Sequence, residues 1–352
     1  MSNHKCYEHI KGQKNAWNAA LKEVDSRIRA FGSFFEEHPS ELIFASCGSP
    51  YHLGQSNATF WRERLGLHTT VVPSSEVMLL PESTLPQSGN PVLLVASRSG
   101  ETTETVKAVE TFAKRFPGRT LLLSCQHASK LGRLADLAIT IPEADDGEVV
   151  PQTRSFGAMY VAAQYLVALV AGDTVLAANL KELPDLLPSL IEKWEPVVEQ
   201  VAQADWDSAV FLGSGPLYGV AAEAGLKLTE MTLSFASSYH TLEVRHGPRS
   251  IIDEKTLVVD LGSERGASQE YQVLTELAEQ TPYILALTPY DGWDLGKISI
   301  EISLGHKVSE HALGVLYLPL LQLLAYHRAV HKGVNPDKSR NLTSYVELPP
   351  GG

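Results

Sequence analysis

Basic charge is in short supply in this chain. Its 41 Asp and Glu outnumber 29 Lys and Arg, for a formal net charge of −12. A surface of that sign repels phosphodiester backbones and anionic bilayers, so neither nucleic acid nor a membrane is expected as a partner. Cysteine is nearly absent: Cys6, Cys47 and Cys125 are odd in number, scattered and without CxxC spacing. That excludes a disulfide framework and a zinc knuckle and suits a reducing, cytoplasmic setting. The opening residues carry no apolar leader, so no signal peptide is expected. The longest apolar stretch, 312–326, is shorter than a bilayer span and contains Pro319 and Gln322, which reads as a buried helix. Neither Gly-x-Gly-x-x-Gly nor a Gly-Lys-Ser/Thr loop occurs, so no nucleotide site is expected, and no cofactor or metal.

What is present is a soluble-protein composition, 44% hydrophobic and 20% charged, over 352 residues, enough for two domains with their own cores. An amphipathic opening places Trp17, Leu21, Val24, Ile28, Phe31 and Phe35 at helical spacing. Strands and helices then alternate: strand 42–46, helix 51–65, strand 69–72, a loop with Pro81 and Pro86, strand 92–96, helix 102–116, strands 120–125 and 137–141, helix 156–171. Such alternation predicts an α/β fold with a mostly parallel sheet covered by helices.

The most informative segment is 92–105. Val92–Ala96 is apolar without alternation, as in a strand buried on both faces. Ser97, Ser99, Thr102, Thr103 and Thr105 then crowd around Gly100 where the next helix begins. Unpaired N–H groups and the helix dipole make that end attractive to anions. Hydroxyl donors can wrap the oxygens of a phosphate, and Arg98 adds a forked cation. An ordinary N-cap by Ser99 or Thr102 is the plainer alternative. With no lysine to reach a nucleotide's terminal phosphate, the expected ligand is a small phosphorylated metabolite.

The second half echoes the first. Phe44–Tyr51 resembles Val210–Tyr218, with Gly48 and Gly213 separated by 165 residues, and the same offset carries the Ser97–Ser99 turn onto Gly262–Glu264. Two tandem copies of one unit are therefore expected, 1–190 and 191–352, joined through a helix-linker near 180–205. Only the first copy has the full hydroxyl cluster.

These features together resemble the sugar isomerase (SIS) family: a strand ending Gly48-Ser49, one ending in Ser97-x-Ser99-Gly-Glu-Thr102, the segment Ala222–Glu230, Glu243-Val-Arg-His246-Gly-Pro, and the tail Arg340–Leu348. The resemblance spans nearly the whole chain. It is strongest to the isomerase half of glucosamine-6-phosphate synthase and to free-standing isomerases, aminosugar-phosphate deaminases and ketosamine-phosphate deglycases. It implies two tandem, flavodoxin-like SIS domains. It also implies that Ser97, Ser99 and Thr102 hold the substrate's phosphate, and that Gly48, Ser49, Gln152 and Thr153 line the sugar pocket. The synthase's glutamine-using half is not expected, since no cysteine follows Met1.

Aldose–ketose chemistry needs a base beside a carbonyl and an acid–base group that opens the sugar ring. The resemblance assigns the base to Glu230 and ring opening to His246, the latter reaching a neighbouring subunit's site in a homodimer or dimer of dimers. The apolar stretches 156–171 and 312–326 are the sequence's own hint of such an interface. Lys227, one turn before Glu230, either steadies charge or forms a helix ion pair. Glu243 either orients His246 or pairs with Arg245, and His240 matches a histidine of the deglycase branch. The synthase's tail lysine is replaced, since this chain reads Leu342-Thr343-Ser344 there; imine chemistry at that place is excluded. The expected reaction is enolisation of a sugar phosphate or ketosamine phosphate at C1–C2. One alternative is a sugar bearing another anion, such as a sulfonate read by Arg98. A non-catalytic sugar-phosphate sensor is the other.

Overall fold

The computed structural model describes residues 4–289, 300–305 and 308–349. Two helices come first, α1 (Lys5–Lys11) and α2 (Gln13–Glu36), then β1 (Leu42–Ser46), α3 (Ser49–Leu65) and β2 (Thr69–Pro73). The expected loop with Pro81 instead holds two short helices, α4 (Ser74–Leu79) and α5 (Pro81–Thr84), the proline starting the second where its missing N–H costs nothing. β3 (Val92–Ser97), α6 (Thr103–Arg115), β4 (Thr120–Ser124), α7 (Lys130–Leu134), β5 (Leu137–Thr140) and α8 (Arg154–Val170) follow. A 30-residue helix, α9 (Thr174–Gln203), occupies the expected linker. Beyond it lie β6 (Ser208–Gly213), α10 (Pro216–Thr232), β7 (Ala236–Tyr239), β8 (Thr256–Leu261), α11 (Ala267–Leu277), β9 (Ile284–Thr288), β10 (Ile300–Ser303) and α12 (Glu310–His331).

The chain packs as two compact units. The first joins Gly12–Pro184 with the described part of Leu342–Gly352; the second joins Asp185–Asn341 with that of Met1–Lys11. The ends therefore depart from a split into 1–190 and 191–352, because each is tied to the other half. Asp337 accepts the N–H groups of Lys5 and Cys6 (3.0 and 2.8 Å), and Tyr7 packs on Tyr326 with ring centres 4.8 Å apart. At the other end, the N–H of Thr103 donates to the carbonyl of Val346 (3.1 Å).

In the first unit five parallel strands run in the order β2-β1-β3-β4-β5. Ile43, Leu93, Val95 and Leu122 face one way, onto Val77 of α4 and Val106, Val109 and Phe112 of α6. β1 and β3 are buried along their whole length, which accounts for their unbroken apolar sequence. The second unit has the same order, β7-β6-β8-β9-β10, again parallel. One of its faces packs Val210, Val258 and Ile284 against Val273, Leu274 and Leu277 of α11.

α12 is the one helix among the described residues long and apolar enough to cross a membrane, and 89% of its most apolar window is buried in the fold. Arg328 on it is buried, donates to the carbonyls of Ala202 (3.0 Å), Ala204 (2.9 Å) and Trp206, and stacks on Trp206. Such local satisfaction of a charge marks a core helix. α8 is likewise buried from Ser155 to Ala168 within the single chain. The apolar richness of both helices is thus intramolecular core and no longer argues for a subunit interface.

Packing on the face of β1 opposite α6 is tight. A methyl group at Gly54 of α3 would stand 2.3 Å from the ring of Phe44. Gly54→Ala should therefore destabilise by about 1–3 kcal/mol through overpacking, outweighing the ~1 kcal/mol gained in helix propensity. Chemical denaturation measures this, and an unchanged midpoint would refute the contact.

Candidate active site

The strand order fixes where a ligand can sit in the first unit. β1 and β3 are neighbours, but the connection after β1 crosses to β2 on one side and that after β3 crosses to β4 on the other. The two turns separate at the carboxyl ends of these strands, where open α/β sheets form their binding crevice. Cys47-Gly48-Ser49 leaves β1 with Gly48 at φ 60°, ψ −134°, a conformation costly for other residues, directly before α3. Ser97–Thr102 leaves β3. Gly100 there has φ 67°, and a Cβ on it would come 2.2 Å from the hydroxyl of Ser129.

The hydroxyls in this turn shape it without being used up by it. Ser97 Oγ accepts the N–H of Gly100 (3.1 Å), and Ser99 Oγ accepts that of Glu101 (3.2 Å). Both oxygens act as acceptors in those bonds, so each O–H remains able to donate to a ligand. Thr102 is the N-cap of α6 by position, yet its side chain makes no capping bond. Ser97, Ser99, Thr102, Arg98, Gln152 and Ser344 all line one small cavity. Gln152 brings an amide oxygen that is buried and, among the described residues, has no hydrogen-bond partner. A ligand hydroxyl would satisfy it.

Arg98 is buried, and three of its five N–H groups are engaged. Nη1 donates to the carbonyls of Val149 (2.9 Å) and Val150 (3.0 Å), and Nη2 to that of Ser344 (2.9 Å). The guanidinium therefore straps the loop before α8 and the C-terminal tail to the cradle. Its charge faces the cavity, but most of its fork is not available for a second anion. The tail is also held by Thr103, whose hydroxyl accepts the N–H of Leu348 (3.2 Å). Ser344 meets the site through a backbone carbonyl, which sequence reasoning did not foresee. Cys47, Pro50 and Thr105 line the cavity too and were not anticipated; Thr105 accepts from Ser74 Oγ (3.1 Å) beside the Cys47 thiol. Burial pushes that thiol's pKa up, against activation as a nucleophile. Gly48, Ser49 and Thr153 stand at the helix starts next to the cavity but do not line it.

The second unit holds the other expected residues. Glu223, Lys227 and Glu230 fall on one face of α10 by their spacing. Lys227 is buried, with its ammonium 3.7 Å from Glu223 and bonded to Glu230. Both readings of Lys227 thus describe one arrangement, an ion pair that also steadies the carboxylate. Glu223, fully buried, was missed although it lies in the quoted segment; its spacing from Lys227 was the available signal. Glu230 keeps 17% of its side chain exposed.

Glu230 lies in the last turn of α10, ~20 Å along the axis from the helix's start, where the chain enters β7. His246 comes after the far end of β7 and is exposed. No hydrogen bond or ion pair joins the two among the described residues. Arg245 pairs with Glu276 (3.0 and 2.6 Å), so the alternative of a Glu243–Arg245 pair is set aside. Glu243 bonds to His246 only through backbone, its carbonyl accepting the histidine N–H (2.9 Å). His240 stacks on Tyr218 with ring centres 3.9 Å apart.

Known proteins resemble this chain along most of its length. Residues 37–169, which contain β1–β5 and the cradle, match the SIS domain. Over 314 residues the chain is 29% identical to the isomerizing glutamine–fructose-6-phosphate aminotransferase of Pyrobaculum aerophilum, covering 87% of this chain and 51% of that protein. The chain therefore spans about half the length of such relatives. It is 26% identical over 353 residues to the D-galactosamine-6-phosphate deaminase AgaS of Escherichia coli, covering 94% and 90%. The structure of tagatose-6-phosphate ketose/aldose isomerase from Escherichia coli superposes with a TM-score of 0.87 at 25% identity, covering 98% and 96%.

If Arg98 is a strap, Arg98→Lys keeps the charge and loses the fork. Charge-assisted bonds are worth roughly 1.5–3 kcal/mol, so amide hydrogen exchange in 148–153 and 342–349 should accelerate by about tenfold or more. Unchanged protection in both segments would contradict the strap.

Proposed function

We propose, on the premise that this chain carries a SIS domain and resembles phosphosugar isomerases and deaminases along nearly its whole length, that it enolises a sugar phosphate or ketosamine phosphate at C1–C2. The observation that carries the reading is the cradle at the β1/β3 switch point. Three hydroxyls free to donate, a buried cation and the start of α6 suit the oxygens of a phosphate. The buried amide oxygen of Gln152 suits a sugar hydroxyl beside it. The buried thiols and acidic surface agree with a cytoplasmic metabolic role.

In this reading His246 gives a proton to the ring oxygen as the ring's C–O bond breaks, which frees the carbonyl. Glu230 removes the proton from the neighbouring carbon, and the electron pair moves onto the carbonyl oxygen as an enediolate. Lys227 holds the Glu230 carboxylate in place throughout. Return of the proton to the other carbon completes isomerisation; an amino-bearing substrate gives an enolamine, whose imine form adds water and releases ammonia or the amine as the carbonyl forms. With Ser344 at the tail position the route is acid–base and insensitive to borohydride. A sulfonate presents the same three oxygens to the cradle, so phosphorylated and sulfonated sugars belong in one substrate panel.

The separation of Glu230 and His246 within the second unit favours a homodimer in which each histidine serves the partner's site. Glu230→Gln and His246→Ala variants, each inactive alone, should then regain activity when unfolded and refolded together. Two inactive variants that stay inactive after mixing would sink the shared site.

General acid–base groups are typically worth about 10²–10⁴-fold each. Glu230→Gln should lower kcat by that factor and abolish deuterium incorporation at C1 or C2 from heavy water, with KM nearly unchanged. Ser99→Ala with Thr102→Ala should instead raise KM, since each lost charge-assisted bond costs roughly 1.5–3 kcal/mol. Full turnover without solvent exchange in the Glu230 variant would leave only the sensor reading.

A further inference from the structure

The second unit has its own switch point, between β6 and β8, built like that of the first. Gly215 precedes α10 with φ 55°, ψ −125°, close to Gly48 before α3. In each case a tyrosine three residues on donates its N–H to the glycine carbonyl, Tyr51 at 2.9 Å and Tyr218 at 3.3 Å. The second turn corresponds as well. β3 ends at Ser97 and α6 starts at Thr103; β8 ends at Leu261 and α11 starts at Ala267, the same 164 residues apart at both ends. Ser263 thus takes the place of Ser99, and Gly266 that of Thr102. The structural offsets are 167 at the first turn and 164 at the second, which corrects the uniform 165 expected from sequence.

In the first unit this place is an open cavity. In the second it is filled from within. Glu270, fully buried, reaches back from the first turn of α11: Oε2 accepts the N–H of Ser263 (2.8 Å) and Oε1 accepts its hydroxyl (2.9 Å). The hydroxyl of Ser214, on the opposite arm of the switch point, also bonds to the carboxylate. Gly266 leaves the room, since a Cβ on it would come 2.5 Å from Oε1. At the corresponding position of α6 stands Val106, which packs into the core and sends nothing toward the cradle.

We propose that Glu270 is a built-in ligand, a carboxylate that occupies in the second unit the place open to the substrate's anion in the first, and so limits each chain to one anion. The chemistry is alike on both sides: hydroxyls of the turn after β3 face the cavity in the first unit, and in the second the N–H and hydroxyl of Ser263 with the hydroxyl of Ser214 converge on a carboxylate. Asp260 is buried beside it with one oxygen unpartnered among the described residues, and burial and the Glu270 charge push its pKa up. Burial raises the pKa of Glu270 as well, while the hydrogen bonds from Ser263 and Ser214 favour its charged form; among the described residues Asp260 accepts only from the hydroxyl of Thr241 (3.2 Å). This assignment rests on the first-unit cradle being an anion site, so its test is made where that cradle has been disabled.

In a Ser99→Ala/Thr102→Ala background, Glu270→Ala leaves a vacated, donor-lined pocket. Its Tm should fall, and sodium formate or inorganic phosphate should restore at least half of the loss, compared with chloride at equal ionic strength. Glu270→Gln, which still fills the pocket, should show no such response, nor should the background alone. Equal response of the background, or a Glu270→Ala loss that neither anion reverses, overturns the proposal. So does a Glu270→Ala chain that stays unfolded in both anions while Glu270→Gln folds. Failure of the first-unit cradle as a phosphate site would show separately, as unaltered KM in the background variant.

Discussion

Two adjacent parallel strands cannot both be followed by turns that stay together when their helices leave on opposite faces of the sheet. That constraint, at β1 and β3 and again at β6 and β8, determines much else in the molecule. It opens a crevice at the carboxyl ends, directs helix N-termini toward it, and demands glycine where the chain turns sharply, as at Gly48 and Gly215. The first unit lines that crevice with hydroxyls whose O–H groups remain free to donate; the second fills it with the carboxylate of Glu270.

Much of this was legible beforehand because it is local. The unbroken apolar runs at 42–46 and 92–96 revealed strands covered on both faces, and the hydroxyl cluster after the second marked the cradle. What resisted reading depended on contacts distant in sequence. Arg98 looks like a ligand clamp in isolation, but its role is set by carbonyls 51 to 246 residues away. The plug at Glu270 lies seven residues beyond Ser263, on what reads as an ordinary amphipathic helix. Its burial is visible only once the helix is laid on the sheet. α12, by contrast, was legible: an apolar run shorter than a bilayer span and broken by Pro319 and Gln322 reads as a buried helix, and Arg328 with its carbonyl partners lies in a core.

The strap at Arg98 also gives the tail a function that does not depend on its side chains. Here the backbone carbonyl of Ser344 and the hydrogen bonds of Val346 and Leu348 with Thr103 hold the tail at the cradle's rim.

In the proposed reading the anion is gripped in one unit and the base sits in the other, which separates binding from chemistry along the chain. A phosphate does not change during enolisation, so its contacts are equally strong before and at the transition state; by themselves they raise affinity, not turnover. They become catalytic only if they fix the carbon skeleton within reach of a base, converting binding energy into orientation. That requires the base to be as rigid as the cradle. Glu230 meets the requirement by an uncommon route: a buried ammonium, Lys227, is compensated by Glu223 behind it and Glu230 before it, all on one helix face. Removing either carboxylate would leave Lys227 undercompensated in a dry environment, a penalty of several kcal/mol for one partner of a buried pair. The helix thereby fixes the position of this largely buried carboxylate more firmly than surface residues are usually held, which is what a base acting on an anchored substrate needs.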